Sequence, residues 1–227
     1  MVIRLKASYI STYYPKLYHM AESGSWESIK EHGLLSTTAL LDLFEINGKE
    51  RLEIESTCRK ESVPITHSKY GKAIIRDQKP LKENNLAKLL DDMSVEDYCR
   101  LLNSKTFFWT RKKRLEGLLN AVAYRNRSHT VLTIDTKSLV SKHEKEIWLS
   151  NINSGCTIFG VGRRGSYTFQ KIADYDFEKM QKIKKENAIV ELAVDYSVKD
   201  ISDFVIQVEE WKGRTPINTI WKKSEEK

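Results

Sequence analysis

Apolar residues recur at helical spacing over residues 25–32, 38–44, 81–90, 95–103 and 113–124, and at strand spacing over 16–20, 106–110, 130–135, 157–161, 189–194 and 204–209. Local punctuation agrees with several of these boundaries. Ser94 stands three residues ahead of Asp97, a capping box with aspartate in the acidic role, and Gly33 is placed to end a helix in a left-handed cap. Over 204–209 the alternation puts Phe204, Ile206 and Val208 on one face. Helices and strands are mixed without the regular alternation of a doubly wound sheet, which predicts an α+β fold. The stretch 45–80 is harder to read: a polar helix, then Pro64-Ile65-Thr66-His67 and Tyr70-Gly71-Lys72. It holds too few apolar residues for a separate domain, so it reads as an insertion covering the core of one domain spanning 1–227.

Composition changes this picture little. The chain has 227 residues, 40% apolar and 30% charged, with four prolines and ten glycines, as expected of a soluble globule with a sizeable core. The N-terminus has no signal-peptide pattern and no apolar run is long enough to span a bilayer, so a cytoplasmic protein without membrane contact is expected. Cys58, Cys99 and Cys156 are odd in number and scattered, which points to buried free thiols rather than a disulfide framework or a zinc site. The net charge of +7 is uneven. Lys105, Arg111, Lys112, Lys113, Arg114, Arg125 and Arg127 face only Glu116 between residues 105 and 127, a block that suits either a polyanion or a solvated helix face.

The residue whose placement most needs a reason is Glu191. Ile189-Val190-Glu191-Leu192-Ala193-Val194 is apolar on both alternating faces apart from this carboxylate, and an ionised glutamate in a doubly buried strand is costly unless it is bonded or lines a cavity. A functional carboxylate and a glutamate on an edge strand both fit that pattern. His19, beside apolar residues at a strand end, fits either a structural histidine or a ligand contact. Glu209-Glu210 reads as a solvated strand end. Gly160, Gly162 and Gly165 have a loose GxGxxG spacing outside any strand–turn–helix context, so a Rossmann reading is rejected in favour of a mobile substrate-recognition loop carrying Arg163 and Arg164.

Residues 17–38, LYHMAESGSWESIKEHGLLSTT, run from a strand ending in Tyr18-His19-Met20 through a Gly-Ser turn into an amphipathic helix that stops at Gly33 before Leu34-Leu35-Ser36. This order resembles the first NAD-contacting segment of ADP-ribosyltransferases, above all the DarT-like nucleic-acid-modifying toxins and an adjacent, poorly characterised bacterial family. Glu191-Leu192-Ala193-Val194, followed by Val198 and Asp200-Ile201, resembles the catalytic strand of the same group. The resemblance implies split, twisted β-sheets with flanking helices and an NAD cleft between them. It makes Glu191 the catalytic residue, gives His19 a cofactor ribose and the Met20 backbone the nicotinamide amide, and places Ser36 in the same cofactor segment. Phe107-Phe108-Trp109-Thr110 leading into Arg111-Lys112-Lys113-Arg114 resembles an aromatic strand followed by an NAD-contacting arginine, with Arg114 or Arg111 in that place. Arg76, before Lys79-Pro80-Leu81, is a second candidate. Tyr124 fits either an aromatic that stacks on nicotinamide or a core-edge tyrosine.

The implied function is transfer of ADP-ribose from NAD to a base of DNA or RNA, without a metal, by a toxin or anti-phage effector restrained by an antitoxin protein. The chemistry follows from an oxocarbenium-like transition state: a carboxylate that holds the ribose 2'-hydroxyl stabilises the developing positive charge. An NAD glycohydrolase, a protein-directed transferase and a non-enzymatic nucleic-acid-binding module are the alternatives. An RNA 2'-phosphotransferase would need further histidine and arginine motifs that do not fall in the right order.

Overall fold

The computed structural model describes residues 2–158, 162–184 and 187–224, with side chains over 7–158, 162–182 and 187–224. The chain opens with α1 (Val2–Tyr13), β1 (Lys16–Glu22), α2 (Trp26–His32), β2 (Leu34–Leu35) and α3 (Thr37–Leu43). The stretch expected as an insertion holds α4 (Gly48–Glu55), β3 (Val63–His67) and β4 (Gly71–Ile75). Then follow α5 (Glu83–Leu89), α6 (Val95–Asn103), β5 (Lys105–Trp109), α7 (Lys112–Leu119), β6 (Ser128–Asp135), α8 (Thr136–His143) and β7 (Ile147–Ser150). The last part contains a 3-10 turn (Ser166–Thr168), β8 (Gln170–Lys171), α9 (Phe177–Lys184), β9 (Glu191–Asp195), β10 (Ser197–Val198), α10 (Ile201–Phe204), β11 (Val205–Lys212) and β12 (Thr215–Lys222). The fold is α+β.

Eight strands form one sheet in the order β12-β11-β6-β1-β5-β9-β7-β8, each neighbouring pair antiparallel. Two small pairs, β10 with β2 and β3 with β4, lie outside it. The large sheet is not uniform. β1 pairs with β6 at every residue from Lys16 to Glu22, but with β5 only at Tyr18↔Trp109. The sheet therefore parts beyond that pair into a β1 side and a β5 side.

Both faces are covered. On one, Leu17, Phe108, Leu132, Ile134, Leu149, Leu192 and Val194 pack with Ile10 of α1 and Leu139 and Val140 of α8. On the other, α5 and α6 bring Leu86, Tyr98, Cys99 and Leu102 against Ala193, and α7 brings Leu115 and Leu119 against Val131 and Trp211. This double cover is why 189–194 is apolar on both alternating faces apart from Glu191. The α4–β4 stretch closes a smaller cluster of its own, with Ile54, Ile65 and Ile75 packed on Leu41 and Phe44. Cys58 and Cys99 are both buried, with their sulfurs 3.5 Å apart.

Local signals explain the elements that matched. Ser94 caps α6 by accepting from the Asp97 N–H at 3.0 Å, and its hydroxyl donates to Asp97 Oδ2 at 2.7 Å. Gly33 ends α2 with φ 86°, and a Cβ there would come within 2.5 Å of Lys199 Cα, so both conformation and the close pass of the β10 end demand glycine.

Other expectations are corrected. The helix expected over 113–124 stops at Leu119, where the Asn120 N–H turns back to Glu116 and Leu118, and the chain continues through turns. Thr157 and Ile158 are not in a strand, because the Thr157 N–H and hydroxyl bond to Pro80 and Lys82, while 159–161 lie outside the described residues. Phe204, Ile206 and Val208 do not share a strand face, since Phe204 closes α10 and register shifts in β11 bury every third residue, Val205, Val208 and Trp211. Glu209 and Glu210 lie inside β11, where Glu209 accepts from Trp211 Nε1 and Glu210 from Ser23.

Candidate active site

One row of cross-strand neighbours runs through six strands: Gln207, Thr133, Tyr18, Trp109, Glu191 and Ser150. Directly opposed residues in an antiparallel ladder share a face, so these six side chains project from the same side of the sheet. The adjacent row, with His19 opposite Leu132 and Phe108 opposite Leu192, belongs to the other face. Glu191 is thus the carboxylate in a polar and aromatic row, two strands from Tyr18, a span of about 10 Å.

Glu191 is 4% exposed and is the first residue of β9. Its Oε2 accepts the Ser154 N–H at 3.1 Å. Burial pushes its carboxyl up to about 7, and the Ser154 hydrogen bond and the Arg114 and Arg164 charges pull back only part of that shift. The two arginines act differently. Arg164, 1% exposed, donates to the carbonyls of Ser154 at 3.2 Å and Cys156 at 3.1 Å, and the Tyr98 hydroxyl donates to the same Ser154 carbonyl at 3.1 Å. Arg164 thereby holds the loop whose N–H holds Glu191. Arg114, in the first turn of α7, donates to Asn187 at 3.1 Å, and its Nε is buried without an acceptor among the described residues. A carboxyl poised near 7 beside two guanidinium groups can act as a proton carrier or, ionised, stabilise a cationic transition state.

His19 occupies the place where the sheet parts. Its Nδ1 lies 2.8 Å from the Phe107 carbonyl and its ring packs on Phe108 at 5.9 Å. The carbonyl can only accept, so Nδ1 carries the proton and Nε2 presents a lone pair. Burial holds the imidazole down to about 4, with a smaller raising effect of the Phe107 contact and a lowering one of Arg76, so the ring is neutral at physiological pH. Arg76 occupies the β1 side of the same parting. It donates to the Ala21 carbonyl at 3.2 Å, pairs with Glu22 at 3.2 Å and lies 3.9 Å from the Met20 sulfur. Two side chains thus bond main-chain carbonyls of β1 and β5 where the strands have separated.

Around Arg76 the polar groups are well matched. The Tyr124 hydroxyl donates to Asp77 at 2.6 Å, Arg127 pairs with Glu22 at 3.0 Å, and Arg76 donates to His129 Nδ1 at 3.2 Å while His129 Nε2 donates to the Tyr124 carbonyl at 3.0 Å. Tyr124 is 3% exposed, and the Arg76 guanidinium lies 5.6 Å from its ring. Ser36 is buried as the cap of α3, accepting from the Ala39 N–H at 3.1 Å. Arg111 lies over the Tyr14 ring at 5.1 Å.

The structure brings Glu191, Arg114 and Arg164 together, and His19, Met20 and Arg76 together. It places His19 and Glu191 on opposite faces of the Tyr18↔Trp109 junction. The expected recognition loop is instead docked: Arg163 pairs with Asp91 and donates to the Lys88 carbonyl at 2.8 Å, and Arg164 is interior. Gly160 lies outside the described residues. Sequence reasoning missed Ser154 and Asn187 as partners of the site, and Tyr18 and Trp109 as neighbours in its row. Asn151, Asn153, Ser154 and Gly155 mark a loop in the sequence, but only the fold brings its Ser154 N–H onto Glu191.

A family model described as a family of unknown function (DUF7002) matches residues 15–205. No curated protein and no solved structure matches the chain.

Proposed function

The chain belongs to the DUF7002 family, and we propose that it is an ADP-ribosyltransferase that cleaves NAD at the nicotinamide–ribose bond and passes ADP-ribose to a base of DNA or RNA. The observation that carries this reading is Glu191: a buried carboxyl raised to about 7, at the start of an interior strand of the sheet, held by Ser154 and acted on by the charges of Arg114 and Arg164. Ionised, it offers the negative charge that an oxocarbenium-like ribosyl centre needs, in a water-poor setting where that charge acts strongly.

Other features support the reading. The single β1–β5 pair gives the sheet the two-part form that a split-sheet nucleotide cleft requires. His19 presents Nε2 as an acceptor for a ribose hydroxyl, held in one tautomer by Phe107. The buried Nε of Arg114 suits a ligand oxygen. The family resemblance favours a nucleic-acid acceptor and a toxin or anti-phage role, with an antitoxin as partner.

The test is incubation of the protein with NAD labelled in its adenylate half, together with separate DNA, RNA and protein pools, comparing wild type and Glu191→Gln. Label transferred to a nucleic acid only by the wild type is the expected result. Label in protein alone would move the acceptor, nicotinamide release without any pool would make the protein a glycohydrolase, and intact NAD under all conditions would overturn the reading.

A further inference from the structure

Three cysteines are spread through the chain, and the fold brings two of them together. Cys58 and Cys99, 41 residues apart, meet with their sulfurs at 3.5 Å inside the cluster that holds Leu81, Leu86, Tyr98 and Leu102. Cys58 lies in the loop after α4 and is 9% exposed, whereas Cys99 lies on α6 and is 0% exposed. Bonded sulfurs stand about 2.0 Å apart, so this pair has about 1.5 Å left to close. The two thiols are not equivalent. Their mutual contact holds Cys58 below its ordinary range, with the Arg59 charge helping against burial and Glu83, and the same contact pushes Cys99 up together with burial. The thiolate is the form that reacts with an oxidant, and Cys58 is both the readier thiolate and the less buried residue.

The pair also spans the parting of the sheet. Next to Cys58, the Arg59 carbonyl accepts the Gln78 N–H at 2.7 Å and Arg59 Nε donates to the Arg76 carbonyl at 3.2 Å, while Arg76 holds the Ala21 carbonyl of β1. On the other side, α6 packs against Ala193 of β9 and leads directly into β5. Side-chain hydrogen bonds already cross this seam, from Asn103 Nδ2 to the Glu55 carbonyl at 2.8 Å and from Gln78 Nε2 to Asn103 Oδ1 at 3.5 Å. We infer that Cys58 and Cys99 form a redox switch: a peroxide converts them to a disulfide that ties the segment anchored by Arg76 on β1 to the helix lying on β9, and a dithiol reductant releases it. The Cys58 thiolate attacks one peroxide oxygen and becomes a sulfenic acid, the O–O bond breaks, and the departing hydroxide takes up a proton. The Cys99 sulfur then displaces the sulfenic hydroxyl, which leaves as water with the Cys99 proton. Two thiols and one hydrogen peroxide thus give one disulfide and two waters. The switch needs no NAD and stands apart from the transferase reading.

The experiment treats the folded full chain with hydrogen peroxide, blocks the remaining thiols with iodoacetamide and maps the digested protein by mass spectrometry. Thermal melting and limited trypsin digestion compare the reduced and oxidised forms of wild type and Cys58→Ala. We expect a peptide pair joined through Cys58 and Cys99, short of two hydrogen atoms and separated by dithiothreitol. Closing a loop of that length should raise the melting temperature by about 8 °C, and trypsin should cut after Arg76 about fivefold more slowly. Peroxide should produce neither change in Cys58→Ala, and if that variant does not fold, the wild-type map decides alone. Sulfinic acid at Cys58 without a joined pair, a pair that forms only in urea, or pairing with Cys156 instead would overturn the switch. A joined pair with unchanged cutting after Arg76 would overturn the tie across the parting. A reversible pair in a protein that leaves NAD intact keeps the switch and removes the transferase, and transfer of label by a protein that forms no pair has the reverse meaning.

Discussion

Glu191 and Asp195 begin and end the same strand and lie on the same face, yet their acidities move in opposite directions. Burial raises both. At Asp195 that cost is outweighed by Lys105 at 2.5 Å, Trp148 Nε1 at 2.7 Å and Lys171 at 3.1 Å, so the carboxyl ends below the usual range. Among the described residues Glu191 is held by Ser154 alone, through its N–H and its side chain, while Arg114 bonds Asn187, Arg164 bonds loop carbonyls and both act on it only as nearby charges, and it ends near 7. A carboxylate surrounded by its own cations is fixed in one charge state and holds the sheet together. A carboxylate left short of partners keeps the capacity to bind a ligand or carry a proton.

The contrast can be broken at either end. The largest expected effect is that Glu191→Gln lowers NAD cleavage by at least about a hundredfold, measured as nicotinamide release, whereas Asp195→Asn retains most of it. Equal losses would show that the strand, not the individual carboxyl, matters. For stability the order reverses. The native protein holds a proton on Glu191 between about pH 4.5 and 7 that the unfolded chain has released, so stability falls as pH rises through that window. The loss levels off at about 3 kcal/mol above it. Urea unfolding of Glu191→Gln should show a relative gain at pH 8 that is absent at pH 4.5. His19, lowered to about 4, works in the other direction, since its protonation opposes folding as pH falls from 6.5 to 4, but that contribution is common to both proteins and cancels.

At the other end, Asp195→Asn leaves the Lys105 ammonium buried without its counter-ion and should cost about 2 kcal/mol, less than a fully buried pair because Asp195 is part exposed. The smallest expected effect is Arg164→Met, which removes a positive charge and loosens the Ser154 loop. The pH profile of nicotinamide release should move upward by about one unit, and a drop in rate with an unmoved profile would confine Arg164 to a packing role.

How far this was legible in the sequence depends on the reach of each signal. Glu191 could be found because a single carboxylate interrupting an apolar run is a local anomaly, and α6 because its cap and its apolar spacing agree. Local pattern failed where the decisive partner is distant. The third-residue burial of β11 arises from register shifts against β6 and β12, which no alternation reveals. Arg164 sits among residues that read as a surface loop, and only the carbonyls of Ser154 and Cys156 give it a reason to be interior. α8 is short and polar, with Leu139 and Val140 as its buried contribution, too little apolar spacing to register. β12 is exposed along most of its length, so it carries no alternation at all.

The Tyr18↔Trp109 ladder pair, which joins β1 to β5 with no second rung among the described residues, has a mechanical consequence. A ladder with many rungs resists shear and rotation, whereas one rung acts as a pivot, so relative twisting of the β12-β11-β6-β1 plate against the β5-β9-β7-β8 plate concentrates there. A molecule seated across that pivot would work as a brace, and its arrival would register as slowed amide exchange in both plates, far from any atom it touches.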